Sequence, residues 1–306
     1  MTTLVFGHKS PDTDSTGSPI VWAWYLNKIK GIEAKPMLLG EPNTEALFML
    51  DHWKLEKPEI MKTLAPDTPV VIVDTNNPGE LPGNINEADI TGIIDHHRLV
   101  AGLETRGPIE INIQPLACTA TIMYKMIGKD WAQAPLAVKG AALSCILSDT
   151  LEFRSPTTTP EDTAIAHAIA DELGVDIASY AADMFAAKSD VSAFSEPELL
   201  RMDSKEFDLN GTGLRVSVLE TTSPAPLLAR KDALMAAMPG VATEDGAAQV
   251  LLFIVDILKE EATLLVPNDM VKNIAEKSFG ASVTSDTVVL PGIMSRKKQI
   301  IPNLAM

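Results

Sequence analysis

The chain has 306 residues, 46% of them hydrophobic, enough for one large domain or two ordinary ones around a sizeable core. Its formal net charge of −16 argues against a nucleic-acid backbone as main partner, because such binders carry a basic face, but leaves room for a small phosphate ligand held by a local cation cluster. No apolar run approaches the roughly 18 residues of a membrane span, and the N-terminus lacks the basic and apolar regions of a signal peptide, so neither a membrane nor an export route is expected.

In chain order, Thr3–Gly7 reads as a strand, followed by a polar loop and a helix from Ser15 to about Lys30. Lys35–Gly40 is a second strand and Thr44–His52 a helix; Pro69–Asp74, Thr91–Asp95 and Ile109–Gln114 are further strands. This alternation predicts a doubly wound, mainly parallel sheet with helices on both faces. From Thr119 the pattern turns helical: Thr119–Ile127, Pro135–Ser148, Pro160–Leu173 and Asp176–Ala187. The small, polar, proline-broken stretch Lys188–Pro197 is the expected linker, dividing residues 1–187 from a smaller α/β domain with a mixed sheet over 198–306. There, Lys205–Leu209 and Leu214–Glu220 flank Asn210-Gly-Thr-Gly213, a hairpin signal. A helix over Ala225–Met238, strands at Ala248–Ile257 and Ala262–Val266, a helix over Asn268–Phe279 and a strand at Thr287–Leu290 follow.

Three of the apolar strands end abruptly in ligating residues. The first runs into His8, Asp12 and Asp14, the third into Asp74, and the fourth into Asp95-His96-His97. In open α/β sheets ligands sit beyond the carboxyl ends of the strands. Parallel neighbours would therefore bring these side chains to one spot, an oxygen and imidazole set suited to a divalent metal cluster. Taken singly, the His8–Ser15 loop also fits a solvated turn and Asp74 a simple cap; two adjacent histidines behind a buried strand are harder to explain as packing. Asp149, at the end of an apolar helix, faces the unfavourable end of the helix dipole and by itself fits an exposed terminus; if buried, it needs a cation. Ser295-Arg296-Lys297-Lys298-Gln299 is either a solvated basic turn or a phosphate site. His52 and His167 stand outside every cluster. Cys118 and Cys145 have no metal-ligand spacing and read as buried, reduced thiols of a cytoplasmic protein.

Taken together, Gly7-His-Lys-Ser-Pro-Asp-Thr-Asp-Ser15, Val73-Asp74, Ile94-Asp-His-His-Arg98, Ser148-Asp149, Asp203-Ser-Lys-Glu-Phe207 and Ser295–Gln299 resemble the family II, manganese-dependent inorganic pyrophosphatases of the DHH phosphoesterase superfamily. The motifs span almost the whole chain in the family's order, with no inserted regulatory region of the CBS type. The first four occur across the superfamily, which includes single-strand exonucleases; the last two mark the pyrophosphatases. The resemblance implies one metal on His8, Asp12 and Asp74 and a second on Asp14, Asp74, His96 and Asp149, with Asp74 bridging. It implies substrate-binding roles for His97, Lys205, Arg296 and Lys297, and places Asp95 behind a ligand imidazole. It further implies two Mn2+ per subunit, with Co2+ or Mg2+ also accepted, additional Mg2+ arriving with the substrate, and a homodimer formed through the first domain. The implied reaction is hydrolysis of pyrophosphate by a hydroxide activated between two metals. With the metals in the first domain and the Lys-Arg clamp in the second, closure about Lys188–Pro197 is expected. The sequence departs from the family at Thr75, where many relatives have histidine.

Overall fold

The computed structural model describes residues 1–306, which fold as two compact units, Met1–Ala187 and Lys188–Met306. The first is built on six strands: β1 (Thr3–Phe6), β2 (Ala34–Leu38), β3 (Glu59–Ile60), β4 (Pro69–Val73), β5 (Asp89–Asp95) and β6 (Glu110–Ile113). All neighbouring pairs are parallel, in the order β3-β2-β1-β4-β5-β6. The order reverses between β1 and β4, so the crevice of the switch point opens at the ends of these two strands. Val70 to Val73 and Ile93 to Asp95 are all buried, as strands covered on both faces require.

One face carries α1 (Thr13–Tyr25) and α3 (Thr119–Ile127); α2 (Thr44–His52), α4 (Leu136–Thr150), α5 (Pro160–Leu173) and α6 (Ile177–Lys188) complete the unit. The opposite face buries Phe6, Val70 and Ile72 under Leu64, Leu81 and Ile85, in a segment that includes the short 3-10 turns Pro78–Glu80 and Ile85–Glu87. The first helix, expected to be capped by Ser15, is capped by Asp12 and so begins at Thr13, and its last turn, Leu26–Lys30, widens into a π-helix closed by Gly31 at φ 67°. No helix of the chain is long and apolar enough to cross a membrane.

The second unit consists of α7 (Glu196–Met202), β7 (Ser204–Leu209), β8 (Thr212–Thr221), α8 (Ala225–Ala229), α9 (Lys231–Glu244), β9 (Gln249–Asp256), β10 (Glu261–Leu265), α10 (Asp269–Phe279) and β11 (Thr287–Pro291). Its sheet runs β11-β10-β9-β8-β7 and is mixed: β8 and β9 are parallel, the other pairs antiparallel. Along β9, Val250, Leu252 and Ile254 pack with Leu199, Leu234 and Met238 of α7 and α9, while Leu251, Phe253 and Val255 pack with Val271 and Ile274 of α10. Both faces of this sheet are therefore covered. The hairpin turn is the two-residue Asn210-Gly211, both at positive φ, the conformation that matches strand twist.

The expected linker, Lys188–Pro197, is largely bonded into this second unit. The Ser189 hydroxyl accepts the Thr221 hydroxyl at 2.7 Å and the backbone N–H of Ser223 at 3.1 Å. Arg230 donates to the carbonyls of Val191 and Phe194 and to the Glu196 carboxylate. Pro197 does not break a helix here but lies in the first turn of α7, where Glu198 accepts both the N–H and the hydroxyl of Ser195. The expected helix Ala225–Met238 is split at Arg230, and its second part continues through Pro239 to Glu244.

Candidate active site

Each ligating residue of the first unit is placed by a local device. Gly7 lets the chain leave β1 in contact with Ser15: a Cβ on Gly7 would lie 1.9 Å from the Ser15 hydroxyl, which instead accepts the N–H of His8 at 2.7 Å. Asp12 caps α1, its Oδ1 accepting the Ser15 N–H at 2.9 Å. Asp14, fully buried in the first turn of α1, accepts the Ser18 hydroxyl at 2.5 Å and the Thr119 N–H at 2.8 Å. Asp74 follows β4 at φ 58°, a left-handed turn that swings its carboxylate over the strand end. Its Oδ2 stands 3.4 Å from His8 Nε2, and its Oδ1 stands 3.2 Å from His96 Nε2 and 3.3 Å from the Thr119 hydroxyl. Asp149, at the end of α4, points inward: its Oδ2 is buried without a hydrogen-bond partner, 3.9 Å from His96 Nε2.

These side chains form interlocking groups. The ligating atoms of His8, Asp12 and Asp74 lie within 4.8 Å of one another, as do those of Asp14, His96 and Asp149, and those of Asp74, His96 and His97. Burial raises the Asp74 carboxyl to about 6, with the charge of Asp14 adding to the effect and His8 and His96 opposing it. Burial, then the charges of Asp14 and Asp74, push Asp149 well above the usual carboxylate range. Burial would lower His8 and His96, but the facing carboxylates more than offset it, holding them up to about 10 and about 9. Converging carboxylates and imidazoles, with one buried oxygen of Asp149 left without a hydrogen-bond partner, have the chemistry of a cation-binding centre. The donors are oxygen and imidazole only, which fits Mn2+, Mg2+ or Co2+.

Asp95 lies behind this centre. Its Oδ1 accepts the N–H groups of His96 and His97 and His97 Nδ1, and its Oδ2 accepts Asn76 Nδ2 at 2.6 Å. Burial would raise its carboxyl, but the bonds from His97 and Asn76 keep it below the usual range. With Nδ1 engaged, His97, half exposed, has Nε2 left to meet a ligand.

In the second unit, Lys205, Arg296 and Lys297 line one cavity of about 560 Å3 together with Asp203 and Ser295. Arg296 is held in place by Asp203, donating to its carbonyl and its carboxylate, both at 2.7 Å. Part of the basic run therefore lines a cavity with Lys205, while Lys297 and Lys298 remain exposed to solvent.

The N-terminal domain of the DHH family matches residues 2–148, and the DHHA2 domain matches residues 182–306. A Lactobacillus helveticus protein named "probable manganese-dependent inorganic pyrophosphatase" is 36% identical over 303 residues, covering 98% of this chain and 97% of its own. A Bacillus pumilus protein of the same name is 38% identical, covering 99% and 97%. The chain belongs to the manganese-dependent inorganic pyrophosphatase family. Consistent with that membership, the crystal structure of a Methanococcus jannaschii protein assigned to the family II inorganic pyrophosphatases matches it with a TM-score of 0.64 at 32% identity, over 99% of this chain and 98% of that one.

The structure gathers His8, Asp12, Asp14, Asp74, His96, His97 and Asp149 at the first unit's switch point and Lys205, Arg296 and Lys297 in the second unit's cavity. His52, against Trp53 and Tyr180, and His167, stacked on Phe153, belong to aromatic packing. Thr75, the departure from the family pattern, donates its hydroxyl to Glu80 at 2.6 Å and accepts the Asn77 N–H, so it braces the loop after Asp74. Two residues that sequence reasoning missed are Thr119 and Asn76. Thr119 opens α3, where its N–H meets Asp14 and its hydroxyl Asp74; a helix start after β6 was the one available signal. Asn76 reads in sequence only as a turn residue.

Proposed function

We propose that this chain hydrolyses inorganic pyrophosphate to two phosphates, using two divalent cations, Mn2+ foremost. His8, Asp12 and Asp74 would hold one cation and Asp14, Asp74, His96 and Asp149 the other, with Asp74 shared. The observation that carries the reading is the pair of carboxylate-imidazole groups that converge at the switch point on either side of the buried Asp74. Two such cations supply Lewis acidity and lower the pKa of water between them.

The chain's own residues do the remaining work. Asp95 fixes the ring of His97 so that Nε2 is offered to an oxygen of the substrate, and His97, its pKa raised chiefly by the bond to Asp95, can hold the proton that a leaving phosphate takes. Lys205, Arg296 and Lys297 neutralise the phosphoryl oxygens, Arg296 already oriented by Asp203. Substrate brings further Mg2+. In this reading the basic cavity closes over pyrophosphate held by the first unit, pivoting where Lys188 leads into the segment anchored on the second unit, and the active form is a homodimer joined through the first unit.

The test is substrate choice. With Mn2+ restored to metal-stripped protein, phosphate release from pyrophosphate should far exceed release from single-stranded oligonucleotides; faster turnover of oligonucleotides would replace this reading with a nuclease.

A further inference from the structure

Glu45 is buried without any exposure in the first turn of α2, outside every group described so far. A carboxylate in that position costs free energy unless hydrogen bonds recover it. One of its oxygens, Oε1, accepts two hydroxyls from two different helices. The first comes from Thr13, at 2.6 Å, the residue between Asp12 and Asp14 at the start of α1. The second comes from Ser148, the residue before Asp149 at the end of α4. A parallel backbone link runs from the N–H of Asn43, the cap of α2, to the carbonyl of Pro11 at 3.0 Å, next to Asp12. Thus the start of α2 is bonded to two of the three chain segments that deliver carboxylates to the centre, the third being the end of β4 with Asp74.

The geometry points to Glu45 as a positioning residue for the metal centre: its carboxylate sets the spacing between the α1 carboxylates, Asp12 and Asp14, and the α4 carboxylate, Asp149. The inference rests on the metal-centre reading above and adds a residue to it. Neither hydroxyl donor is a ligand, so the effect passes through backbone position. Groups hydrogen-bonded directly to metal ligands change affinity by about 10–100-fold when removed; Glu45 acts one residue further out, so the lower end of that range is expected.

The test is Mn2+ affinity, read from the EPR signal of free aqueous Mn2+ during titration of wild type, Glu45→Ala, Glu45→Gln, Ser148→Ala and the Glu45→Ala/Ser148→Ala double variant. Glu45→Ala is expected to weaken binding about tenfold or more. Ser148→Ala, a small change that leaves the fold intact, is expected to weaken chiefly the cation that Asp149 helps hold. The double variant should be no weaker than Glu45→Ala, since both changes delete the same bond. Glu45→Gln keeps an acceptor oxygen and should stay within about threefold of wild type. Wild-type affinity in both Glu45→Ala and Ser148→Ala, whatever their melting temperatures, overturns the inference while leaving the metal centre standing. A wild-type chain that binds no Mn2+ overturns the metal centre and the inference with it.

Discussion

His97 Nδ1 stands 2.9 Å from Asp95 Oδ1, the oxygen that also accepts the N–H groups of His96 and His97. One buried carboxylate therefore controls the direction of a half-exposed imidazole and the backbone that carries its neighbour. Replacing Asp95 by Asn removes the main cause of the raised His97 pKa. The alkaline limb of the pH profile for pyrophosphate hydrolysis should then move to lower pH, with a loss of about 10–100-fold in kcat/KM. An unshifted limb would mean that His97 does not titrate in the reaction.

Asp149 makes a second prediction. Asp149 has its carboxyl pushed up by burial and by Asp14 and Asp74, so its contribution to stability is present at low pH and lost as the pH rises towards neutrality. In Asp149→Asn the metal-free protein should melt higher than wild type at pH 7, while the rise in melting temperature on adding Mn2+ should shrink. Calorimetry with and without metal reads both.

The basic cavity predicts a separation of effects. Arg296→Ala should lower kcat/KM for pyrophosphate by about 10²–10³-fold. Mn2+ affinity should be unchanged, because the proposed cation ligands all lie in the first unit. Arg296→Lys should recover only part of the loss, since Lys cannot bond both the carbonyl and the carboxylate of Asp203 in the same planar arrangement.

A fourth prediction concerns the second unit alone. Arg201 and Arg215 converge on Asp245, with Nε–Oδ2 separations of 3.0 and 2.6 Å. The Arg201 bonds, then Arg215, hold the Asp245 carboxyl below its usual range. A lowered carboxyl contributes stability above its unfolded pKa, about 4, and loses it as the pH falls further. Denaturation followed from pH 5 downward should show a flatter acid limb in Asp245→Asn.

Much of this was legible in the sequence because strand ends are local. The apolar runs ending in His8, Asp74 and Asp95-His96-His97 identify the parallel strands and the edge where ligands gather in the same stretch of residues. Asp149 was different. Helical periodicity places it at the end of α4, but whether that end faces water or a neighbouring carboxylate depends on how α4 packs on α1, which no local pattern states. Glu45 and Asn76 were hidden for the same reason: a first-turn glutamate and a turn asparagine are ordinary residues until tertiary contacts bury them. Pro197 and Pro239 misled in the opposite sense. Proline predicts a break, yet Pro197 sits in a first helical turn and Pro239 within α9.

The most direct measurement is the rate of phosphate release from pyrophosphate by metal-stripped protein as Mn2+ is added back, in the presence of Mg2+. The account predicts release that climbs with added Mn2+ and saturates at two equivalents per chain. Full release with every divalent cation chelated, or none when two equivalents of Mn2+ are bound, would contradict it.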